Sequence, residues 1–270
     1  MTMRAKKSLG QNFLVSRAVA AAMLRAADVA PEDIILEVGP GKGFITEFLL
    51  AAGAGKVVAV EKDDRLIDVL REKFAHAIKT GKCEIIHGDI METDVENIRG
   101  GKPYKVVANI PYYITGELIR FLLENKTPPQ KMVIMVQKEV AERIVARDGK
   151  ESILSISVRA YGVPRYIKTV PARYFRPQPS VDSAILSIAD ISANHFTNTD
   201  KDLFFTIVKN GFAHKRKLLR GNLGNIYEKE AIKEIFNICA VKETARAEEC
   251  GLVDWICITR GIKNHLTREL

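Results

Sequence analysis

The sequence predicts an α/β fold: a largely parallel sheet followed by an all-helical C-terminal part. Three observations lead there. Apolar runs of strand length (Ile34–Val38, Lys56–Val60, Cys83–His87, Lys105–Asn109, Lys131–Val136) recur along the first half, and helical stretches follow several of them. A glycine loop, Gly39-Pro-Gly-Lys-Gly43, closes the first run, where such sheets gather their ligand-binding groups. Beyond about residue 200 strand-like alternation stops and helical periodicity takes over.

In chain order, residues 1–27 are acid-free, amphipathic and Arg- and Ala-bearing, as an organelle transit peptide is. A glycine and a polar pair within Lys6-Lys7-Ser-Leu-Gly-Gln-Asn-Phe-Leu14 argue instead for a retained, functional segment. Ser16 reads as the N-cap of a helix through Ala27, with Val19, Met23 and Ala26 on one face. The βαβ unit comes next: strand 34–38, the glycine loop, a helix from Phe44 to Ala52, and a strand ending at Glu61. Its spacing is G-x-G-x-G rather than the G-x-G-x-x-G that supports a pyrophosphate. A nucleoside without phosphates, such as S-adenosylmethionine, fits better, with the Glu61 carboxylate on the ribose diol.

Asp89, after the third strand, is either an acceptor for the cofactor's adenine amine or the cap of a turn. His87 reads as structural. The fourth strand runs into Asn109-Ile-Pro-Tyr-Tyr113, where Pro111 lacks the amide a ladder needs and ends the strand. The chemistry this segment suggests is methyl transfer to an adenine amine, a poor nucleophile because its lone pair is delocalised. The Asn109 side-chain oxygen and the Ile110 carbonyl are placed to hold the amine's hydrogens, and Tyr112 to stack on an extruded base. The competing reading is a buried strand, an Asx-Pro turn and core tyrosines.

A helix is expected from Gly116 to Glu124, Pro128-Pro129 as a breaker, a strand at 131–136 and a helix from Glu139 to Ala146. Ile153, Leu154, Ile156 and Val158 read as a strand, and Tyr166–Val170 as another. The proline-rich loop 170–179 displays Phe175 between Arg173 and Arg176, a pattern suited to unpaired bases, unless Phe175 simply packs. Ser183–Ile188 closes the sheet. Residues 191–200 are polar and suit a junction, followed by helices at 202–212, 215–220, 228–239 and 252–266, with Trp255 and Phe236 as core.

Net charge is +8 over 270 residues, unevenly placed. Residues 1–27, 152–181 and 203–227 each hold five Lys/Arg and no acid, together +15, so the rest of the chain is net −7. Single-sign segments of this kind favour a polyanion partner. No apolar run approaches the ~20 residues of a membrane span. The four cysteines show no C-x-x-C pair and no zinc-ligand spacing, so reduced, mostly buried thiols in a cytosol-like compartment are expected.

Taken together and in order, Lys6–Leu14, Glu37-Val-Gly-Pro-Gly41, Gly88-Asp89, Asn109-Ile-Pro-Tyr112, Val170-Pro…Phe-Arg-Pro-Gln-Pro-Ser-Val-Asp-Ser-Ala184, Gly211–Leu223 and Arg246-Ala-Glu248 cover essentially the whole chain. This set closely resembles the small-subunit ribosomal RNA adenine dimethyltransferases of the KsgA type. The resemblance implies a Rossmann-like seven-stranded S-adenosylmethionine-dependent methyltransferase sheet over residues 1–190 and a small helical domain over 191–270. It implies a substrate of two adjacent adenosines in a hairpin loop near the 3′ end of small-subunit rRNA, within an assembling ribosomal subunit. Cofactor contacts fall on Asn12, Leu14, Gly39, Gly41, Glu61, Asp89 and Asn109. The base falls to Asn109, Ile110 and Tyr112, with Phe175 opposite Tyr112.

RNA is expected at Lys6, Lys7, Arg173, Arg176, Arg216, Lys217 and Arg220. A cytoplasmic monomer with no metal and no membrane attachment completes the expectation. Two departures lie near the RNA side: Glu151-Ser-Ile153 where the family usually has Tyr-Gly-Arg, and Ser180 where a lysine is usual. A related large-subunit rRNA methyltransferase of the macrolide-resistance type shares the glycine loop and Asn-Ile-Pro-Tyr, but the basic segment 203–227 favours the small-subunit enzyme. A non-catalytic RNA-binding relative is opposed by the intact Asn109 and Glu61. A nicotinamide dehydrogenase is opposed by the glycine spacing.

Overall fold

β-Branched runs that are apolar on both faces form the middle of a seven-stranded sheet, the pattern that parallel strands covered on both sides require. The computed structural model describes residues 10–268. Among these, the strands are β1 (Phe13–Leu14), β2 (Ile34–Val38), β3 (Lys56–Glu61), β4 (Cys83–His87), β5 (Tyr104–Asn109), β6 (Lys131–Gln137), β7 (Val163–Val170), β8 (Phe175–Arg176) and β9 (Ser183–Ala189). The large sheet has the order β4-β3-β2-β5-β6-β9-β7. Its first five members are parallel, and β9 runs antiparallel between β6 and β7. Separately, β1 pairs antiparallel with β8, Leu14 opposite Phe175, which fastens the N-terminal segment to the proline-rich loop.

The chain divides into two units. The first comprises the residues up to Ala141 together with Val163–Ile191 and contains both sheets. Its helix Arg17–Ala27 follows Ser16 as expected and buries Val19 and Met23 in the core. The second unit comprises Glu142–Gly162 and Ser192–Leu270. The junction near residue 191 coincides with the polar stretch, but residues 142–162, assigned from sequence to the first domain, cluster with the C-terminal helices.

Within that segment the expected strand is a helix, Ile153–Arg159. The alternation of Leu154, Ile156 and Val158 fits a strand, but Ser152 and Ser155 form a capping box. The Ser152 hydroxyl accepts from the Ser155 amide at 3.1 Å, and the Ser155 hydroxyl accepts from the Ser152 amide at 2.7 Å. With the first turn closed this way, Ile156 and Val158 are buried from a helical backbone.

Helices Lys201–Gly211, Lys229–Ile238 and Leu252–Arg268 surround Trp255, Phe204 and Phe236, all fully buried. The helix expected over 215–220 starts later, at Leu219, and ends at Leu223; His214–Lys217 is a turn closed by the Lys217 amide on the His214 carbonyl at 3.0 Å. The cysteines, expected from sequence as reduced thiols, are not all reduced. Cys83 and Cys250 are buried free thiols, but Cys239 and Cys257 form a disulfide. They are 18 residues apart, a pairing made only when helices 229–238 and 252–268 pack together. No helix among the described residues is long and apolar enough to cross a membrane.

Candidate active site

From β2 the sheet grows outward through β3 and β4, and from β5 it grows the other way through β6. The chain therefore leaves the carboxyl ends of β2 and β5 in opposite directions and opens a crevice between them, where α/β sheets bind ligands. Four loops meet there, after β2 (Gly39–Gly43), β3 (Glu61–Asp63), β4 (Gly88–Asp89) and β5 (Asn109–Ile114), and the segment Gly10–Val15 joins them. They line a cavity of about 320 Å³. Asn12, Leu14, Gly39, Gly41, Glu61, Asp89, Asn109, Ile110 and Tyr112, expected from sequence as cofactor or base contacts, all lie on its wall.

On the β2–β3 side the glycine loop is bound to a carboxylate. Glu61 is 5% exposed; one oxygen accepts from the Gly41 amide at 2.9 Å and the other from the Asp63 amide at 2.8 Å. Burial raises its pKa, and these amides oppose the rise. Gly39 and Gly41 both have positive φ, +68° and +60°. A Cβ at Gly41 would strike the Phe13 ring, whereas one at Gly39 would meet no protein atom within 4 Å. Backbone without a side chain, beside open space and a buried carboxylate, fits the edge of a ribose and admits close approach.

Glu37 was not singled out from sequence as a site residue. It is 1% exposed on the cavity wall and accepts from the Thr46 hydroxyl at 2.6 Å. Burial pushes its pKa up to about 8. Asp89 caps the turn Ile90–Glu92 through the Met91 amide at 3.0 Å; it also lines the cavity and is paired with Lys62 at 2.6 Å. The Lys62 ammonium holds its pKa below the usual range.

On the β5 side the Asn109 side-chain amide donates to the Asn12 backbone carbonyl at 2.9 Å. That bond assigns the nitrogen to Asn12 and leaves Oδ1 as an acceptor facing no protein donor among the described residues. Ile110 is buried, 2% exposed. Tyr112, in the turn Tyr112–Ile114, is half-buried, and its hydroxyl bonds the Ser183 hydroxyl at 2.8 Å. Gln11 ties the N-terminal segment to the β3 loop through Asp63, at 2.7 Å.

Phe175 is not displayed: it is fully buried on β8, in the core with Leu14 and Val170, because pairing with β1 turns it inward. The ring therefore offers no open face opposite Tyr112. Arg176 lines the cavity, with its guanidinium donating back to the Arg173 and Phe175 carbonyls, and Arg173 is exposed over the Tyr174 ring. Lys6 and Lys7 lie outside the described residues. Arg216, Lys217 and Arg220 belong to the second unit and are exposed, with Arg220 paired to Glu243 at 2.6 Å. No group of three potential metal ligands occurs among the described residues.

The buried Glu37 carboxyl carries a stability signature. Its folded-state pKa lies above the ordinary value, so the folded chain holds a proton that the unfolded chain releases. Between about pH 4.5 and 8 this group alone makes stability fall as pH rises. Glu37→Gln should flatten that fall, by a few kcal/mol at most. Denaturant unfolding at pH 5 and pH 8 checks it; parallel pH dependence in both proteins would contradict it.

The family model for "Ribosomal RNA adenine dimethylase" matches residues 2–263. A protein of Dehalococcoides mccartyi named ribosomal RNA small subunit methyltransferase A is 43% identical over 94% of this chain and 87% of its own. One of the same name from Fusobacterium nucleatum is 40% identical over 95% and 97%. Among solved structures, a dimethyladenosine transferase from Plasmodium falciparum superposes with a TM-score of 0.79 at 24% identity, over 93% of this chain and 98% of that one. The 23S rRNA methyltransferase ErmE gives 0.74 at 24%, over 93% and 100%. At that identity both show a shared fold. With the family model spanning nearly the whole chain, the carboxyl-edge cavity and its Asn-Ile-Pro-Tyr wall are those of a member of the ribosomal RNA adenine dimethylase family.

Proposed function

We propose that this protein uses S-adenosylmethionine to dimethylate the exocyclic amine of two adjacent adenosines in a hairpin loop near the 3′ end of small-subunit rRNA, in an assembling subunit. It would do so in the cytoplasm, where that RNA is, as a monomer. The observation that carries the reading is the Asn109 amide, fixed by Asn12 so that its oxygen is left to accept.

When bound, the cofactor supplies an electrophilic methyl group. Glu61 would hold the ribose diol through lone pairs its two amide partners leave free, and Gly39 would admit the nucleoside against backbone. Asp89 would take the adenine amine while keeping its turn. On the target side, Asn109 Oδ1 and the Ile110 carbonyl accept the two hydrogens of the base amine. This draws the nitrogen toward a pyramidal shape and frees its lone pair. Tyr112 gives the extruded base a ring to stack on. Relatives 35–44% identical carry small-subunit names, which supports that substrate over the large-subunit alternative.

Asn109→Ala and Tyr112→Ala should both lose turnover as folded proteins. The first removes the acceptor; the second removes stacking of about 1–3 kcal/mol that offsets base extrusion. Wild-type methylation of small-subunit RNA by either variant would make this segment structural only. For the second unit, Arg216→Gln with Lys217→Gln should flatten the salt dependence of RNA binding by about 0.7–0.9 for each phosphate left without its cation. Arg220→Gln should change it less, because Glu243 already neutralises that charge. Binding measured over a salt series tests this, and an unchanged slope for the first pair would remove the turn as an RNA surface.

A further inference from the structure

We infer that Ser183 is a positioning residue for base methylation: its hydroxyl anchors the far end of the Tyr112 ring against which the target base stacks. The inference rests on the reading of Tyr112 as the base platform. Tyr112 follows Pro111 at the start of a three-residue turn, and its side chain reaches back to Ser183, 71 residues on. The bond is short, 2.8 Å, and joins a half-buried phenol to a fully buried hydroxyl.

Ser183 is a fixed point. It opens β9, where it pairs with Gln137 of β6 on one side and Val170 of β7 on the other. The preceding Asp182 is pinned as well: its carbonyl accepts from the Lys138 amide at 3.0 Å, and its carboxylate accepts from the Ala172 amide at 2.9 Å. One end of the Tyr112 ring is thus set by the backbone after Pro111, the other by a strand inside the sheet. Stacking needs the ring to lie where the extruded base arrives, and a ring whose long axis is held at both ends beforehand loses less freedom on binding. The segment Val170–Ala184, singled out from sequence for Phe175, therefore reaches the base through Ser183, while Phe175 stays in the core.

Tyr112→Phe keeps the stacking face and removes only the hydroxyl; Ser183→Ala removes the other partner. Single-turnover methylation at saturating RNA and cofactor should slow several-fold to about tenfold in each, the scale of one net hydrogen bond. The double variant should be no slower than the slower single, and Ser183→Thr should recover most of the rate. Cofactor affinity by calorimetry should change less than about twofold, a split that general damage to the sheet would not give. Should Ser183→Ala fail to fold, Tyr112→Phe carries the test, since it leaves β9 untouched. Wild-type rates in either single variant, or a double variant slowed by the full product of the two single effects, would overturn the inference. If Tyr112→Ala is also at wild-type rate, the platform reading falls with it; if Tyr112→Ala is inactive, only the role of Ser183 falls.

Discussion

The site depends on one pairing: β2 lies parallel and hydrogen-bonded beside β5, with Leu36 opposite Val106, though some seventy residues separate them. Their connections must diverge, one toward β3 and the other toward β6, so neither can cover the gap at their carboxyl ends. That gap places a glycine loop and an Asn-Ile-Pro-Tyr segment, distant in sequence, on facing walls of one cavity. Everything else tightens this arrangement.

The tightening comes from outside the two strands. Glu61 at the end of β3 draws the glycine loop down through the Gly41 amide. The N-terminal segment is held by Gln11 on Asp63, the Asn12 carbonyl on Asn109, and β1 on β8. The Asp63 carboxylate that takes Gln11 is itself held ionised, chiefly by its bonds to Arg65. A cavity walled by backbone and fixed dipoles has little to reorganise when charge develops within it, which is how such sites favour a transition state over a bound substrate.

The parallel strands and the glycine loop were legible because buried β-branched runs and glycine spacing are local signals, and the cavity wall followed from them. Long-range pairings were not. Phe175 looks displayed among arginines until β1 pairs with β8 and turns it inward. The run 153–158 alternates like a strand, and only the reciprocal bonds of Ser152 and Ser155 decide for a helix. Cys239 and Cys257 have no motif spacing, and two packed helices bring them together. Glu37 sat in view within the Glu-Val-Gly-Pro-Gly motif, yet nothing local marks its complete burial or its raised pKa. Ser183 gave no signal that it would meet Tyr112.

The most direct measurement is calorimetric titration of the protein and its Glu61→Ala variant with S-adenosylmethionine. Glu61 offers charge-assisted hydrogen bonds worth roughly 1.5–3 kcal/mol each, so affinity should fall tenfold or more while the variant stays folded. Unchanged affinity in a folded Glu61→Ala protein would contradict the assignment of this cavity to the methyl donor.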